Sequence, residues 1–453
     1  MEKLFGTDGI RGIANHHPMT IEVAVGVGRT LARIYCSAET NQVIIGQDTR
    51  QSGDMLVSGV MAGVLSAGGD ARPLGVIPTP GVAYLTRASS RAAAGVMISA
   101  SHNPFEDNGI KIFKRDGFKL SDEEERRLES VMAQGETQSR TNPVNHPMGS
   151  TKPYPQGSAD YVRCLRNCAE NFRVLDGLKL ILDCSHGATY QVAGELFASL
   201  GAEVDPRFVS PNGTNINAGC GSQHPKQLAA EVVHQKAHAG LAFDGDGDRL
   251  IAVDETGAIL SGDQIILACA LNLKSKGRLS ANTVVTTVMS NLGLRRALRE
   301  NQIDHCMADV GDRYVLEMMK KTGACLGGED SGHMIFLHDH TTGDGLLSAV
   351  RLLEAMLARR SKLSQLRELM KVYPQVLINV PVKAKPPLEQ FPKISQIVEQ
   401  VESRLGDEGR VLLRYSGTSF KCRVMVEGPS RELTASLAET IAAAVKKELG
   451  GKG

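Results

Sequence analysis

Short apolar runs, glycine-bearing turns and amphipathic stretches alternate along this chain, the pattern of repeated α/β units. Val43-Ile44-Ile45, Gly95-Val96-Met97-Ile98 and Ile110-Lys111-Ile112-Phe113 predict strands, and Met55 to Ala67 predicts a helix packed between them. Ser121 followed by Glu124 forms a capping box that opens a helix over Asp122 to Met132. Gly135 to Gly157 has little periodicity and many Pro, Asn, Ser and Thr residues, which reads as a linker. A second unit has strands at Leu178 to Asp183 and Gly240 to Phe243, with helices near Gly187 to Leu200 and Lys226 to His238. A third has strands at Thr283 to Val288 and Ala324 to Leu326, with helices near Gly293 to Glu300 and Gly345 to Ala358. Around Val372-Tyr373-Pro374 the rhythm changes. The tail then gives a strand, a helix (Ile394 to Leu405), strands at Val411 to Leu413 and Cys422 to Val426, and a long terminal helix. These breaks divide the chain into three α/β domains, 1-150, 151-253 and 254-372, and a smaller α+β domain, 373-453.

In each larger unit an apolar strand runs straight into a polar, glycine-bearing loop: Ser99 to Pro104, Asp244 to Arg249, and Gly327 to His333. Ligands of α/β sheets sit beyond the carboxyl ends of strands, so the three loops are expected to face one cleft.

Composition narrows the function classes. Lys plus Arg is 51 against 50 Asp plus Glu in 453 residues, a net charge of +1. That balance argues against nucleic acid as a partner, since such domains carry a basic excess. Tryptophan is absent and aromatics are 4%, which leaves few stacking platforms. No apolar run approaches the roughly 18–20 residues that span a bilayer, and Met1 to Gly6 begins without a signal-peptide core, so no membrane partner and a cytoplasmic location are expected. Cys164 and Cys168, at helical spacing, read as buried thiols rather than a zinc site or disulfide.

The candidate chemistry lies in the loops. Asp244, Asp246 and Asp248 alternate with glycines, which brings hard oxygen ligands to one point and suits Mg²⁺ or Ca²⁺. An EF-hand competes, because Glu255 falls at the twelfth position. It fails because Arg249 takes the sixth position, where Gly is needed, and because strand-like runs flank the loop. Arg249 beside three carboxylates suits a site that an anionic group also enters. Ser101, with His102 beside it, sits on a strand-to-loop corner where a serine can be a nucleophile or phosphate carrier, although most Ser-His pairs in loops are turn chemistry. Lys111 offers a nearby cation. Glu329, Ser331 and His333 among glycines suit hydrogen bonds to a polyol, with an ordinary hairpin as the alternative. Arg414, Ser416, Gly417 and Thr418 suit a phosphate cradle, again against a plain hairpin.

Together these loops resemble the α-D-phosphohexomutase superfamily. The resemblance rests on Phe5-Gly6-Thr7-Asp8-Gly9-Ile10-Arg11-Gly12, the Ser101 loop, the Asp244 loop, Gly328-Glu329-Asp330-Ser331-Gly332-His333 and Arg414 to Thr418, in family order over essentially the whole chain. It implies three similar mixed α/β domains plus a smaller C-terminal α+β domain around a central cleft. It further implies that Ser101 carries a phosphoryl group and holds Mg²⁺ with Asp244, Asp246 and Asp248. Arg11, Lys111 and His102 then serve catalysis. Arg249, Glu329, Ser331, His333, Arg414, Ser416, Gly417, Thr418 and Arg423 bind substrate, and a sugar bisphosphate is the expected activator. Val310 to Val315 and Thr341 to Gly345 are similar to the glucosamine branch, which implies interconversion of glucosamine 6-phosphate and 1-phosphate through a bisphosphate intermediate. The same chemistry on glucose or mannose phosphates, or a non-catalytic sugar-phosphate binder, is the alternative. The chain departs from the family pattern at Asp330, usually Gln, and at Ser419-Phe420, usually Glu-Pro. A homodimer is left open as the assembly.

Overall fold

Four sheets organise the chain in a computed structural model that describes residues 4–6, 8–138, 148–416 and 419–450. The chain divides into two units, Met1–Met289 with Ile303–Leu369, and Ser290–Gln302 with Met370–Gly453. The first unit holds three sheets built on one plan. In the first sheet, Gln42–Gln47 lies between Asp70–Val76 and Ala92–Ile98, both parallel to it, and Asp107–Lys114 returns antiparallel to Ala92–Ile98. In the second, Lys179–Asp183 lies between Glu203–Arg207 and Ala239–Phe243, and Leu250–Asp254 returns antiparallel to Ala239–Phe243. In the third, Thr283–Thr287 lies between Asp304–Ala308 and Leu326–Gly328, and Met334–Phe336 returns antiparallel. The three polar loops of the sequence are therefore the same hairpin in three copies. Each joins the last parallel strand of its sheet to the antiparallel strand that follows it.

Helices cover both faces of such sheets, which is why the central strands read as unbroken apolar runs. Every residue of Ala92–Ile98, Ala239–Phe243 and Thr283–Thr287 is buried. The loops at the strand ends are then the places where polar side chains can converge.

The second unit pairs the antiparallel strands Gln375–Pro381, Lys421–Glu427 and Arg410–Tyr415, in that order, with the helices Pro392–Leu405 and Arg431–Leu449. Its core joins Val424, Val426 and Cys422 to Ile441, Val445 and Leu437 of the last helix.

Several expected boundaries move. The capping box forms, with the Glu124 carboxylate accepting from the Ser121 backbone N–H at 2.8 Å, but the helix runs over Asp122–Gln138 and takes in Gly135. The expected linker is thus partly helical, and its end pairs along the sheet edge, where Ala71 N–H donates to the Ser150 carbonyl at 3.0 Å. The helix expected to reach His238 closes at His234. The helix Gly262–Ser275, buried from Gly262 to Asn272, has no amphipathic period to betray it. Cys164 and Cys168 are free and half-buried rather than buried.

Candidate active site

The site begins at the hairpin after Ala92–Ile98. Ser101 adopts the left-handed backbone region, φ 54°, which costs a non-glycine residue roughly 1–2 kcal/mol. Surrounding bonds over-determine that conformation. Ser101 N–H donates to Ser99 Oγ at 2.9 Å, and the Ser101 carbonyl accepts from Arg50 Nη2 at 2.9 Å and from Asn217 Nδ2 at 3.0 Å. Arg50 is itself buried and held by Asp48, 2.9 Å from its Nε. The result is a hydroxyl fixed in direction: Ser101 Oγ donates to Asp244 Oδ2 at 2.6 Å.

Asp244 belongs to the equivalent hairpin of the second sheet. Gly245 lies so close to the Ser101 loop that a Cβ would stand 2.5 Å from the Ser101 carbonyl oxygen, and Gly247 turns at φ 72°. Alternate glycines thus bring the two loops together and point alternate carboxylates inward. One ligand oxygen from each of Asp244, Asp246 and Asp248 falls within 4.8 Å of the others. Asp246 Oδ1 and Asp248 Oδ1 are buried without a hydrogen-bond partner. A hard divalent cation suits such a set, since it takes several oxygen ligands and needs negative charge. The strands Ala239–Phe243 and Leu250–Asp254 flank the loop, and Glu255 accepts from Ser364 instead of turning inward, so no EF-hand exists here.

Buried cations partly offset the carboxylates. Lys111 Nζ reaches Asp246 Oδ2 at 2.7 Å, Asp248 Oδ2 at 3.2 Å and Asp8 Oδ2 at 3.4 Å. Burial opposes the charge on Lys111, but Asp246 and Asp8 outweigh it and hold the ammonium well above its ordinary pKa. For Asp244 burial dominates, reinforced by Asp248 and Asp246, and its pKa is pushed well up. Burial also acts on Asp248, yet Lys111 prevails there and its pKa falls. Thr79 Oγ1 donates to Asp246 Oδ2 at 2.5 Å. Arg249 anchors through its backbone, whose N–H donates to Asp244 Oδ1 at 3.2 Å, while its Nε stands 3.7 Å from Asp248 Oδ1. His102 Nδ1 lies 3.2 Å from Ser101 Oγ, and burial together with Arg249 lowers its pKa to about 4, so the ring is neutral near pH 7.

The third hairpin divides its candidates. Ser331 is exposed and Glu329 half-buried, with Glu329 Oε1 accepting from Gly311 N–H at 3.1 Å. His333, expected to face a ligand beside them, is buried, with Nε2 3.8 Å from Asp312 Oδ2, Gly343 packed against its ring, and both ring nitrogens without a hydrogen-bond partner. Backbone pairing joins this hairpin to the metal loop, since Leu250 N–H donates to the Gly332 carbonyl at 3.0 Å.

Sequence reasoning did not single out Lys119, which reaches Asp8 and Asp312, each at 2.5 Å, and so links the first and third domains. Nothing local marks it. Asp48 and Arg50 were findable, because they too follow an apolar strand directly. Arg11 pairs with Asp8 beside Lys111.

In the second unit, Arg414 and Arg423 are direct cross-strand partners. Ser416 N–H donates to the Lys421 carbonyl at 2.9 Å, its Oγ lies 3.0 Å from Ser419 Oγ, and Lys385 Nζ donates to its carbonyl at 2.7 Å. Lys385 also lies over the ring of Phe420, 5.3 Å from its centre. Gly417 and Thr418 fall outside the described residues.

Four domain models of one family match the chain. The α/β/α domains I, II and III of phosphoglucomutase/phosphomannomutase match residues 2–139, 159–257 and 261–373, and the C-terminal domain matches 377–444. The chain is 51% identical to proteins named phosphoglucosamine mutase from Syntrophus aciditrophicus (strain SB) and Syntrophobacter fumaroxidans (strain DSM 10017 / MPOB), in each case over 451 residues, 99% of this chain and 100% of the relative. Its fold is shared with a phosphoglucomutase/phosphomannomutase family protein of Burkholderia thailandensis, with a TM-score of 0.81 at 24% identity, covering 99% of this chain and 98% of that one. Matches in all four domains, and half-identity end to end, show that the chain belongs to the phosphoglucomutase/phosphomannomutase family.

Proposed function

We propose that this enzyme interconverts glucosamine 6-phosphate and glucosamine 1-phosphate by phosphoryl transfer through Ser101. The observation that carries the reading is Ser101 Oγ, held 2.6 Å from Asp244 in a left-handed corner, inside a carboxylate set with orphaned oxygens. The 51% identity to proteins named phosphoglucosamine mutase favours the amino sugar over glucose or mannose.

In the first half-reaction a sugar hydroxyl oxygen forms a bond to the phosphorus carried on Ser101, and the bond from that phosphorus to Oγ breaks. The hydroxyl proton leaves the sugar, and Oγ regains one proton. Freed Oγ–H then donates to Asp244, the bond seen here. In the second half Oγ takes back the other phosphate and loses its proton, which ends on the departing sugar oxygen. Neutral His102, 3.2 Å from Oγ, is suited to hold a proton in passing at Nδ1. Arg11 and Lys111 add fixed positive charge where negative charge develops, and in phosphoryl transfer such positioning and charge supply most of the rate. Mg²⁺ held by Asp244, Asp246, Asp248 and a phosphoryl oxygen on Ser101 would neutralise charge on the transferring group.

Glu329 and Ser331 are the residues we assign to sugar hydroxyls, with Arg249 toward phosphate. Arg414, Arg423 and Ser416, with Gly417 and Thr418, are assigned to the phosphate that is not reacting. A sugar bisphosphate would prime Ser101, and a cytoplasmic location follows from action on sugar phosphates. Turnover on glucosamine, glucose and mannose 6-phosphates tests the proposal. A rate on glucosamine 6-phosphate no higher than on the other two would overturn the amino-sugar assignment.

A further inference from the structure

At the far end of the second sheet from the Asp244 loop lies a cavity of about 460 Å³, within the roughly 300–1,000 Å³ typical of small-molecule sites. The strand Ala239–Phe243 starts beside it, after Lys236 and His238, and ends at Asp244, so its five residues separate the two places by about 17 Å at ~3.4 Å per residue. The floor is apolar and buried, formed by Leu178, Ala237, Met356 and Leu363, with Val233 50% exposed at the mouth. The rim is cationic, formed by Lys236, Arg360 and Lys362. None of these three enters an ion pair among the described residues. The acidic lining residue, Glu255, is taken up by the backbone N–H and hydroxyl of Ser364.

Two of the three cations stand where the backbone favours glycine. After the helix Lys226–His234, Ala237 N–H donates to the Val232 carbonyl and Lys236 N–H to the Val233 carbonyl. After the helix Gly345–Ala358, Ser361 N–H donates to the Met356 carbonyl and Arg360 N–H to the Leu357 carbonyl. Both patterns are Schellman closures, whose left-handed position usually takes Gly. Here Lys236 occupies it at φ 52° and Arg360 at φ 51°. Two helices that end beside one cavity thus both carry a cation at a position of local strain, and strain of this kind concentrates at binding sites.

We propose that this cavity binds a single-chain amphiphilic anion, a medium-chain acyl carboxylate, with its headgroup on Lys236, Arg360 and Lys362 and its chain over the apolar floor. No Phe, Tyr or Trp lines the cavity, so a nucleotide base would find only the His238 ring and the Arg360 guanidinium to stack on. His238 Nδ1 accepts from Lys179 N–H at 2.9 Å, which leaves its other ring nitrogen as a donor at the rim.

Calorimetry of the full-length protein with sodium decanoate, well below its micelle-forming concentration, tests the proposal. One decanoate should bind per chain, and saturating glucosamine 6-phosphate should not displace it. Arg360→Gly and Lys236→Gly relax the backbone while removing a charge, so each variant should keep or raise its melting temperature and lose about tenfold in decanoate affinity. Lys362→Glu, at an exposed position, should weaken binding further, and supplies the charge test if a glycine variant folds poorly. Decanol, which has the chain without the charge, should bind at least tenfold more weakly. Absence of decanoate binding, equal binding by decanol, unchanged affinity in the charge variants, or displacement by the sugar phosphate would each overturn the proposal.

Discussion

Lys111 Nζ stands 2.7 Å from Asp246 Oδ2, an ammonium from the first domain buried against a carboxylate of the second. Both side chains are almost wholly removed from water, so each charge depends on its buried partners, which for Lys111 also include Asp248 and Asp8. Lys111→Met should therefore destabilise the metal-free protein by about 3–5 kcal/mol, the usual cost of stranding a buried charge. Urea unfolding in excess chelator measures this, and added Mg²⁺ should recover part of the loss. Equal stability of variant and wild type would show that Lys111 offsets no buried charge here.

Replacing Ser101 by Ala leaves the corner in place, because the bonds that hold it are made by backbone atoms. Mutase turnover should fall by several orders of magnitude with the fold intact. Intact-mass analysis should find a phosphate adduct on wild type that the variant lacks. A folded Ser101→Ala protein with near-normal turnover would eliminate Ser101 as the phosphoryl carrier.

Removal of divalent metal should abolish turnover, and Mg²⁺ should restore it. Asp246→Asn keeps the side-chain shape but removes one charge from the ligand set, so Mg²⁺ affinity should drop by at least tenfold. Titration calorimetry with Mg²⁺ reads this directly. Full turnover in chelated buffer would contradict the metal assignment.

His340 is fully buried, and burial, helped by Arg87, lowers its pKa to about 3. Its value in the unfolded chain is about 6.5, so below that pH the unfolded state takes up a proton that the folded state refuses. Stability should consequently fall as the pH drops from about 6.5 toward 3, by up to about 1.4 kcal/mol per unit from this residue. His340→Asn, which cannot titrate, should show a flatter profile in urea unfolding at pH 7, 6 and 5. Parallel profiles would show that another group governs acid sensitivity.

Arg414 and Arg423 face each other across neighbouring strands, where like charges cost a few tenths to about 1 kcal/mol. A phosphate between them converts that cost into paired hydrogen bonds. Arg414→Ala should weaken glucosamine 6-phosphate binding by tenfold or more and raise KM more than it lowers kcat. Equal calorimetric affinity in the two proteins would make this loop a plain hairpin. Ser419 and Phe420 fit a working loop, since Ser419 bonds Ser416 and Phe420 lies under Lys385.

Much of this architecture was legible along the chain. Runs such as Ala92–Ile98 and Ala239–Phe243 are apolar because helices cover both faces of their sheets, and that requirement is written residue by residue. The alternating Asp244, Asp246 and Asp248 were equally legible, because their convergence follows from spacing within a single loop. Family motifs then supplied roles that spacing alone left open. Partners distant in sequence were a different matter. Ser101 meets Asp244 across 143 positions and Lys119 meets Asp312 across 193, and no local periodicity encodes such pairings. His333 shows the same limit from the other side. It shares a loop with exposed Ser331, yet the packing of Gly343 and the nearness of Asp312 bury it. The sequence by itself thus determined which segments become strands and which loops carry carboxylates, since both depend on neighbours a few residues away. Only the tertiary structure decided that three hairpins are copies of one another, which cations enter the carboxylate set and where unpaired cations gather, because those outcomes depend on which sheet edges and helix ends meet in space.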